Sequence, residues 1–223
     1  MDTSRNEILI GADGQQKLSN AAVTIVGAGG VGGATAVMLC RAGIGRFRII
    51  DFDRVSTSNI NRQVVAFPDT VGKHKVDVLK NLINRINPDA QVDAVCARLC
   101  SDNVQELIAD SEIVVDAIDS VSDKLDLITF CKRAGIYIIS AMGAGNRFDQ
   151  PNFHKVDIFK THDDALAKIV RKELRQRGIQ SLDVVTSFST PLKTQGAIGS
   201  ISYYPVACAA VIAAAVVNMI VSK

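Results

Sequence analysis

The chain has no charge excess of either sign: 25 lysines and arginines stand against 23 aspartates and glutamates, a formal net charge of +2. That balance excludes a global basic field demanding nucleic acid, although a local patch remains open. No basic stretch followed by an apolar run opens the sequence, so no secretory signal is expected. The five cysteines (Cys40, Cys96, Cys100, Cys131, Cys208) are odd in number and scattered, which favours a reduced, cytosolic setting over a disulfide framework. Cys96 and Cys100 read as small buried residues. No Cys-x-x-Cys pair occurs, and His74, His154 and His162 do not stand at metal-ligand spacing, so no zinc site is expected. Repeats and low-complexity linkers are also missing, and residues 1–223 read as a single domain.

What is present is an ordinary globular composition, 48% hydrophobic and 22% charged, in a chain long enough for one large core. One uncharged stretch, 203–221, is long enough to span a bilayer as a helix. It is rich in alanine, contains Pro205 and Asn218 and lacks a basic flank on its N-terminal side. The reading is therefore a buried C-terminal core or dimer helix, with no stable membrane insertion expected.

Short apolar runs alternate with helical spacing through the first two thirds. Strands are expected over 23–26, 46–51, 91–99, 112–118 and 137–140. Helices are expected over 32–41, 73–87, 103–109 and 123–134. This alternation predicts an α/β fold, a Rossmann-like, doubly wound, mostly parallel sheet. After Gly145 the rhythm breaks into an elaborated C-terminal third. It holds a strand near 155–159, a helix opened by Asp163 and Asp164 and closed at Gly178, a strand near 184–189 and a polar loop over 191–200.

Gly27-Ala28-Gly29-Gly30-Val31-Gly32 follows a strand and opens a helix, the context that a phosphate-binding glycine loop requires. Glycine lets the backbone approach phosphate oxygens while amide N–H groups point at them. Alone the motif is weak, because nicotinamide and flavin enzymes share it. Asp51 at the end of the next strand can hold ribose hydroxyls in either case.

The segment from Asp51 and Asp53 through Ser58, Asn59, Asn61, Arg62 and Gln63 is more discriminating. Nicotinamide binding does not need such a polar cluster, whereas a triphosphate does. Asn59 and Asn61 can hydrogen-bond its oxygens or the metal shell, and Arg62 can offer a planar fork. Lys75 adds a mobile cation for charge developing as pyrophosphate leaves. Asp119, ending a buried strand, suits the Mg²⁺ side, since magnesium takes one or two carboxylates plus phosphates. Taken singly, Arg62 and Lys75 are equally solvated charges, and Asp119 an N-cap for the following helix.

These motifs, with Arg41-Ala42-Gly43-Ile44-Gly45 and Ile118-Asp119, resemble the ubiquitin-activating-enzyme-like superfamily, whose ThiF and MoeB branches adenylate the C-terminal carboxylate of small sulfur-carrier proteins. The resemblance implies ATP and Mg²⁺ as cofactors. It places Gly30 under the phosphates, Asp51 on the ribose, Ser58 to Arg62 and Lys75 on the triphosphate, and Asp119 at the metal. Arg5 matches the arginine that a partner subunit extends into the site, which implies a homodimer. From Met142 to Ser200 there is no cysteine, so covalent transfer from that crossover is excluded, and the paired zinc cysteines of the sulfur-carrier branches are missing.

The runs 140–147, 156–161 and 167–178 resemble a different branch, the tRNA threonylcarbamoyladenosine dehydratases, which activate a carboxylate on a tRNA adenosine with ATP and cyclise it. The chain departs from that branch at Thr161-His162-Asp163-Asp164, where relatives often carry Cys-Pro-Leu-Ala. The resemblance implies a tRNA substrate and leaves a cysteine desulfurase system open as a partner. Lys168, Arg171, Lys172 and Arg175 fall on one helical stripe, with Arg177 nearby and Leu166, Ile169, Val170 and Leu174 opposite. Such a ridge can neutralise backbone phosphates or be a solvated face. Three alternatives stay open: an adenylyltransferase acting on a ubiquitin-like sulfur carrier, a nicotinamide-dependent oxidoreductase, and a nucleotide-bound module without turnover.

Overall fold

A computed structural model describes residues 1–196 and 198–222. The elements run α1 (Ser4–Asn20), β1 (Ala22–Val26), α2 (Gly30–Ala42), β2 (Arg46–Ile50), α3 (Lys75–Ile86), β3 (Gln91–Val95), α4 (Val104–Ile108), β4 (Ile113–Asp116), α5 (Val121–Ala134), β5 (Tyr137–Ala141), β6 (Phe153–Asp157), α6 (Ala165–Gln176), β7 (Asp183–Ser187) and α7 (Tyr203–Val221). The seven strands form one sheet in the order β3-β2-β1-β4-β5-β7-β6. Every neighbouring pair is parallel except β6 with β7. The chain winds outward from β1 to β3, then returns to the other side of β1 as β4. The C-terminal ends of β1 and β4 therefore flank a crevice that no crossover covers.

Alternation along the strands divides the core in two. Ile25, Ile49, Val115 and Ile139 face one layer, packed with residues of α2, α3 and α7. Val26, Ile50, Val114 and Ile138 face the other, with α4, α5 and α6. Both faces are covered, which is why these strands read as continuous apolar runs.

The 203–221 stretch is α7, the one helix among the described residues long and apolar enough to cross a membrane. Tyr204, Cys208, Ala209, Ile212 and Val216 are fully buried, so it serves as a core helix packed on α2 and α1.

Element ends differ from expectation where side chains intervene. The third strand stops at Val95, not 99, because Ala97 N–H turns back to the Val95 carbonyl. β4 stops at Asp116, whose Oδ1 accepts from Ile118 N–H at 3.1 Å. The strand expected near 155–159 lies two residues earlier; the Asp157 side chain accepts from Phe159 N–H and closes it. Asp164 is the N-cap of α6, accepting from Ala167 N–H at 2.9 Å, and Gly178 takes φ +72° beyond its end.

Two expectations about side chains are corrected. Cys96 is exposed and Cys100 half-buried, because the chain has left the edge strand there; Cys96 Sγ lies 3.0 Å from His74 Nδ1. On α6, Ile169 is 48% exposed, while Arg171 turns inward and donates to the Thr161 carbonyl at 2.6 Å. Arg175 stands 5.3 Å over the Phe159 ring, and Arg177 pairs with Asp126 at 3.7 Å. Of the four cations in the stripe, Lys168, Lys172 and Arg175 are exposed and without an ion-pair partner among the described residues, and of these Arg175 is held over a ring.

Candidate functional site

The glycine loop leaves β1 at the centre of the sheet, beside the crevice. Gly27 takes φ +96°, and a Cβ there would lie 2.6 Å from the Ala117 carbonyl oxygen. A Cβ at Gly32 would lie 1.8 Å from the Gly27 oxygen. Both are required by the tight passage of α2 past the strand ends. Gly29 is different. It caps α2 in an extended conformation, and the nearest atom to a Cβ on it would be Gln63 Nε2 at 4.0 Å. The space beside Gly29 is open, and the first-turn amides of α2 have no helical carbonyl to bond, so the positive end of a 13-residue helix faces that space. Gly30 rests against Pro205 of α7, where a Cβ would meet the ring at 3.1 Å.

That space is part of a cavity of ≈510 Å³. Gly27, Gly29, Gly30, Asp51, Asp53, Arg62, Lys75 and Asp119 line it, drawn together from three connections, β1 to α2, β2 to α3 and β4 to α5. The Asp51 carboxylate braces the loop, accepting from Ala28 N–H at 2.6 Å and from Asp53 N–H at 2.7 Å. Lys75, buried at the start of α3, donates to Asp53 Oδ2 at 2.6 Å. Arg62 donates to the Ser58 carbonyl and to Asn61 Oδ1 at 2.8 and 2.9 Å, which fixes the guanidinium at the rim. Asp119 is exposed in the cavity and has no hydrogen-bond partner among the described residues. The N-cap of α5 is Ser120, so Asp119 is not used to cap that helix.

Several expected residues stand behind the wall. Ser58, Asn59 and Asn61 do not line the cavity. Asn59 is buried and accepts from Ser56 N–H at 3.1 Å, holding the turn that carries Arg62. Asn61 donates to the Ser200 carbonyl at 2.9 Å. Gly32 sits within α2, one turn beneath the loop. Arg5 is exposed on α1, and its neighbour Asn6 donates to the Ala42 carbonyl at the far end of α2. Arg5 is therefore at the opposite end of the sheet from its own chain's glycine loop. A separate depression of ≈790 Å³ lies at that end, under Thr3, Glu7 and Gln15. None of the residues of the glycine loop that follows β1 lines it.

Sequence reasoning assigned no role to other residues that shape the cavity. Gln63 is 8% exposed, and its Oε1 has no partner, a buried acceptor left open at the cavity edge. Its signal was its place beside Arg62. At the mouth, Arg98 pairs with Asp123 at 2.9 Å and stands 5.9 Å over the Phe52 ring. Burial alone would raise the Asp123 carboxyl, but bonds from Arg98 and Ser122 outweigh it and hold the group below its usual range. The opposite wall is Ala141, Met142, Gly143, Ala144 and Gly145, with Ile198 and Leu166. These apolar and glycine positions carry no periodicity that marks them as a site.

The donor set fits a nucleoside triphosphate: an open glycine face, a helix N-terminus, two cations and one free carboxylate. No group of three His, Cys, Asp or Glu able to hold a metal occurs among the described residues. The single open carboxylate, Asp119, fits magnesium only when phosphate oxygens complete the shell.

Fold and cavity together define a nucleotide-binding α/β protein whose site lies where the strand order reverses. The chain belongs to the ThiF family, whose profile matches residues 3–223. It is 39% identical over 191 residues to the tRNA threonylcarbamoyladenosine dehydratase of Bacillus subtilis, covering 85% of this chain and 75% of that one. It is 40% identical over 148 residues to the molybdopterin-synthase adenylyltransferase of Salmonella typhimurium, covering 66% and 59%. The E. coli tRNA N6-threonylcarbamoyladenosine dehydratase solved in complex with ATP superposes with a TM-score of 0.93 at 30% identity, over 99% of this chain and 94% of that one.

Proposed function

We propose that this chain is an ATP-dependent enzyme that adenylates the carboxylate of a threonylcarbamoyl side chain on a tRNA adenosine and cyclises it with loss of AMP. The observation that carries the reading is the open Gly29 face set opposite Arg62, Lys75 and Asp119 in one cavity. The similarity to a dehydratase solved with ATP, over almost the full length of both chains, supports the same nucleotide. In this reading the amides of Gly29 to Gly32 take the phosphates and Asp51 reaches the ribose. Lys75 exchanges Asp53 for phosphate oxygen, and the Arg62 fork stabilises charge on the departing pyrophosphate. Magnesium held by Asp119 and the phosphates would neutralise the triphosphate and favour attack at the α-phosphorus.

The carboxylate oxygen attacks that phosphorus and pyrophosphate leaves. The neighbouring nitrogen of the same side chain then attacks the acyl carbon, loses its proton and expels AMP. Ring closure within one molecule supplies the proximity that an enzyme nucleophile would otherwise provide. This accords with a crossover, 142–200, that contains no cysteine. The same lack separates the reading from sulfur-carrier activation. The domain works as a single unit within a homodimer, each Arg5 reaching the neighbouring triphosphate. The exposed Lys168 and Lys172 of α6 meet the tRNA backbone, and α6 begins at the cavity wall, where Leu166 lines it.

The test is mass analysis of the modified adenosine after incubation with tRNA, ATP and Mg²⁺. The expected product is lighter by one water, and Asp119→Asn and Arg62→Ala yield none while folding normally. An unchanged nucleoside with the wild-type protein and competent tRNA refutes the substrate, and near-normal turnover in either variant refutes that residue's role.

A further inference from the structure

Beneath the cavity lies an ion pair that the proposed chemistry does not use. Asp116 and Lys124 are both 0% exposed, with Nζ 2.7 Å from Oδ2. Ser140 Oγ donates to the same Oδ2 at 2.7 Å, and Asp116 Oδ1 accepts from Ile118 N–H at 3.1 Å. Lys124 also donates to the Ala141 carbonyl at 3.1 Å. The two side chains thus bond to both walls at once. On one side is the turn Ala117, Ile118 and Asp119; on the other is the end of β5, which continues into Met142 and Gly143. The second wall is fixed further on, because Gly143 N–H donates to Asp164, the N-cap of α6, at 2.9 Å.

Stability alone is a poor reason for such a pair, since apolar residues of similar volume often replace a buried ion pair without loss. Its bonds run to the backbone of the two segments whose separation sets the width of the cavity. We propose that Asp116 and Lys124, with Ser140, are positioning residues that hold the turn bearing Asp119 at a fixed distance from the Ala141–Gly143 wall. They thereby govern turnover more than nucleotide affinity, an inference that rests on the adenylation reading above. ATP is gripped chiefly by the glycine loop, Arg62 and Lys75, which the pair does not touch. The β4–β5 ladder ends at Asp116 and Ser140, and beyond it the ion pair ties the turn bearing Asp119 to the Ala141–Gly143 wall. A loose pair leaves ATP bound and the reacting groups misplaced.

The test uses two variants of the full chain. The double variant D116N/K124M keeps an acceptor for Ile118 N–H while removing both charges, and Ser140→Ala removes a single hydrogen bond from Asp116. Three quantities are measured: kcat and KM for ATP in tRNA-dependent turnover, the thermal midpoint, and amide hydrogen exchange at residues 118–119 and 142–143. For the double variant we expect kcat to fall about tenfold or more, because small displacements in a reacting pair are costly. KM for ATP should stay within about threefold, a change worth under one decade of affinity. Exchange should quicken at both walls and not in β1 or α2, and Ser140→Ala should shift the same quantities in the same direction. A double variant with wild-type kcat and unchanged exchange at the walls overturns the proposal. Should that variant not fold, Ser140→Ala decides alone, and wild-type kcat and exchange in it overturn the proposal. A loss of kcat that follows a uniform fall in the thermal midpoint, with exchange quickened throughout the sheet, also overturns it. If wild-type protein gives no tRNA-dependent turnover, the adenylation reading fails, whereas the exchange data still judge the positioning of the walls.

Discussion

Glycines of one motif are required for different reasons, and alanine substitutions at Gly29 and Gly32 separate them. At Gly32 the new methyl would stand 1.8 Å from the Gly27 oxygen and 3.0 Å from its carbonyl carbon. Both are backbone atoms at the tightest point between α2 and the sheet, so the helix must shift by more than an ångström. Overpacking of that severity costs about 3 kcal/mol or more. At Gly29 the backbone has φ −79°, which an L residue adopts freely, and no atom lies nearer than 4.0 Å to the methyl. Loss of unfolded-state freedom stabilises by about 0.4–1 kcal/mol, and loss of the preferred cap offsets it by a similar amount. Gly29→Ala should therefore unfold in urea within about 1 kcal/mol of the wild type. Its methyl, however, occupies the face on which phosphate approaches. ATP affinity by calorimetry should fall at least about tenfold, or 1.4 kcal/mol. Wild-type affinity in Gly29→Ala would falsify the assignment of that face to phosphate. Equal destabilisation by the two substitutions would refute the geometric division between them.

Changing Lys168 and Lys172 to Gln should lower tRNA affinity and reduce the salt slope by about 2, while leaving ATP affinity unchanged; adding Arg171→Gln should instead cost stability, since its guanidinium is bonded inside the fold. An unchanged slope in a salt series removes α6 from the docking surface. Asp123 is held below its ordinary carboxyl value by Arg98 and Ser122 despite burial. Its contribution to stability is fully present above the unfolded carboxyl value and is lost as pH falls through the lower folded value. The stability gap between wild type and Asp123→Asn should thus close on acidification, and a gap constant down to the acid transition refutes the pairing. Burial pushes the Cys131 and Cys208 thiols up to about 12 and raises Cys40 as well. A thiol reagent at neutral pH should label Cys96 and Cys100 in the folded protein and reach the other three only after denaturation. Rapid labelling of Cys131 in the native state would contradict this packing.

The glycine loop, the strand that precedes it and the helix that follows it were legible because each imposes a local demand on the chain. A turn at Gly27, a helix start at Gly30 and a carboxylate on the next strand need those residue types at those spacings, wherever the rest of the molecule lies. The doubly wound sheet was legible for a related reason, since strands covered on both faces must be apolar throughout. Arg62, Lys75 and Asp119 were named from the same short segments, and the fold brings all three to one cavity.

Other features depended on partners distant in sequence. Helix α1 contains Gly11 at φ +71° and Gly14. It is held by Leu18 in the core and by Asn6 and Gln15, which cap the Ala42 carbonyl of α2. Nothing in its own spacing announces it. Arg171 and Lys172 are adjacent basic residues, yet one is bonded to Thr161 and the other meets solvent. That difference follows from where residue 161 lies, ten positions away. Asn59 supports the turn that Arg62 projects from, and only the closed turn separates support from contact. Asp116 falls in the strand expected over 112–118 and Lys124 in the helix expected over 123–134, yet their pairing exists only once β4, α5 and β5 pack together and exclude water from both. Burial and pairing belong to the assembled molecule: the sequence specified which groups could carry charge and which backbone could turn, and tertiary packing decided which of those groups face the cavity and which hold it open.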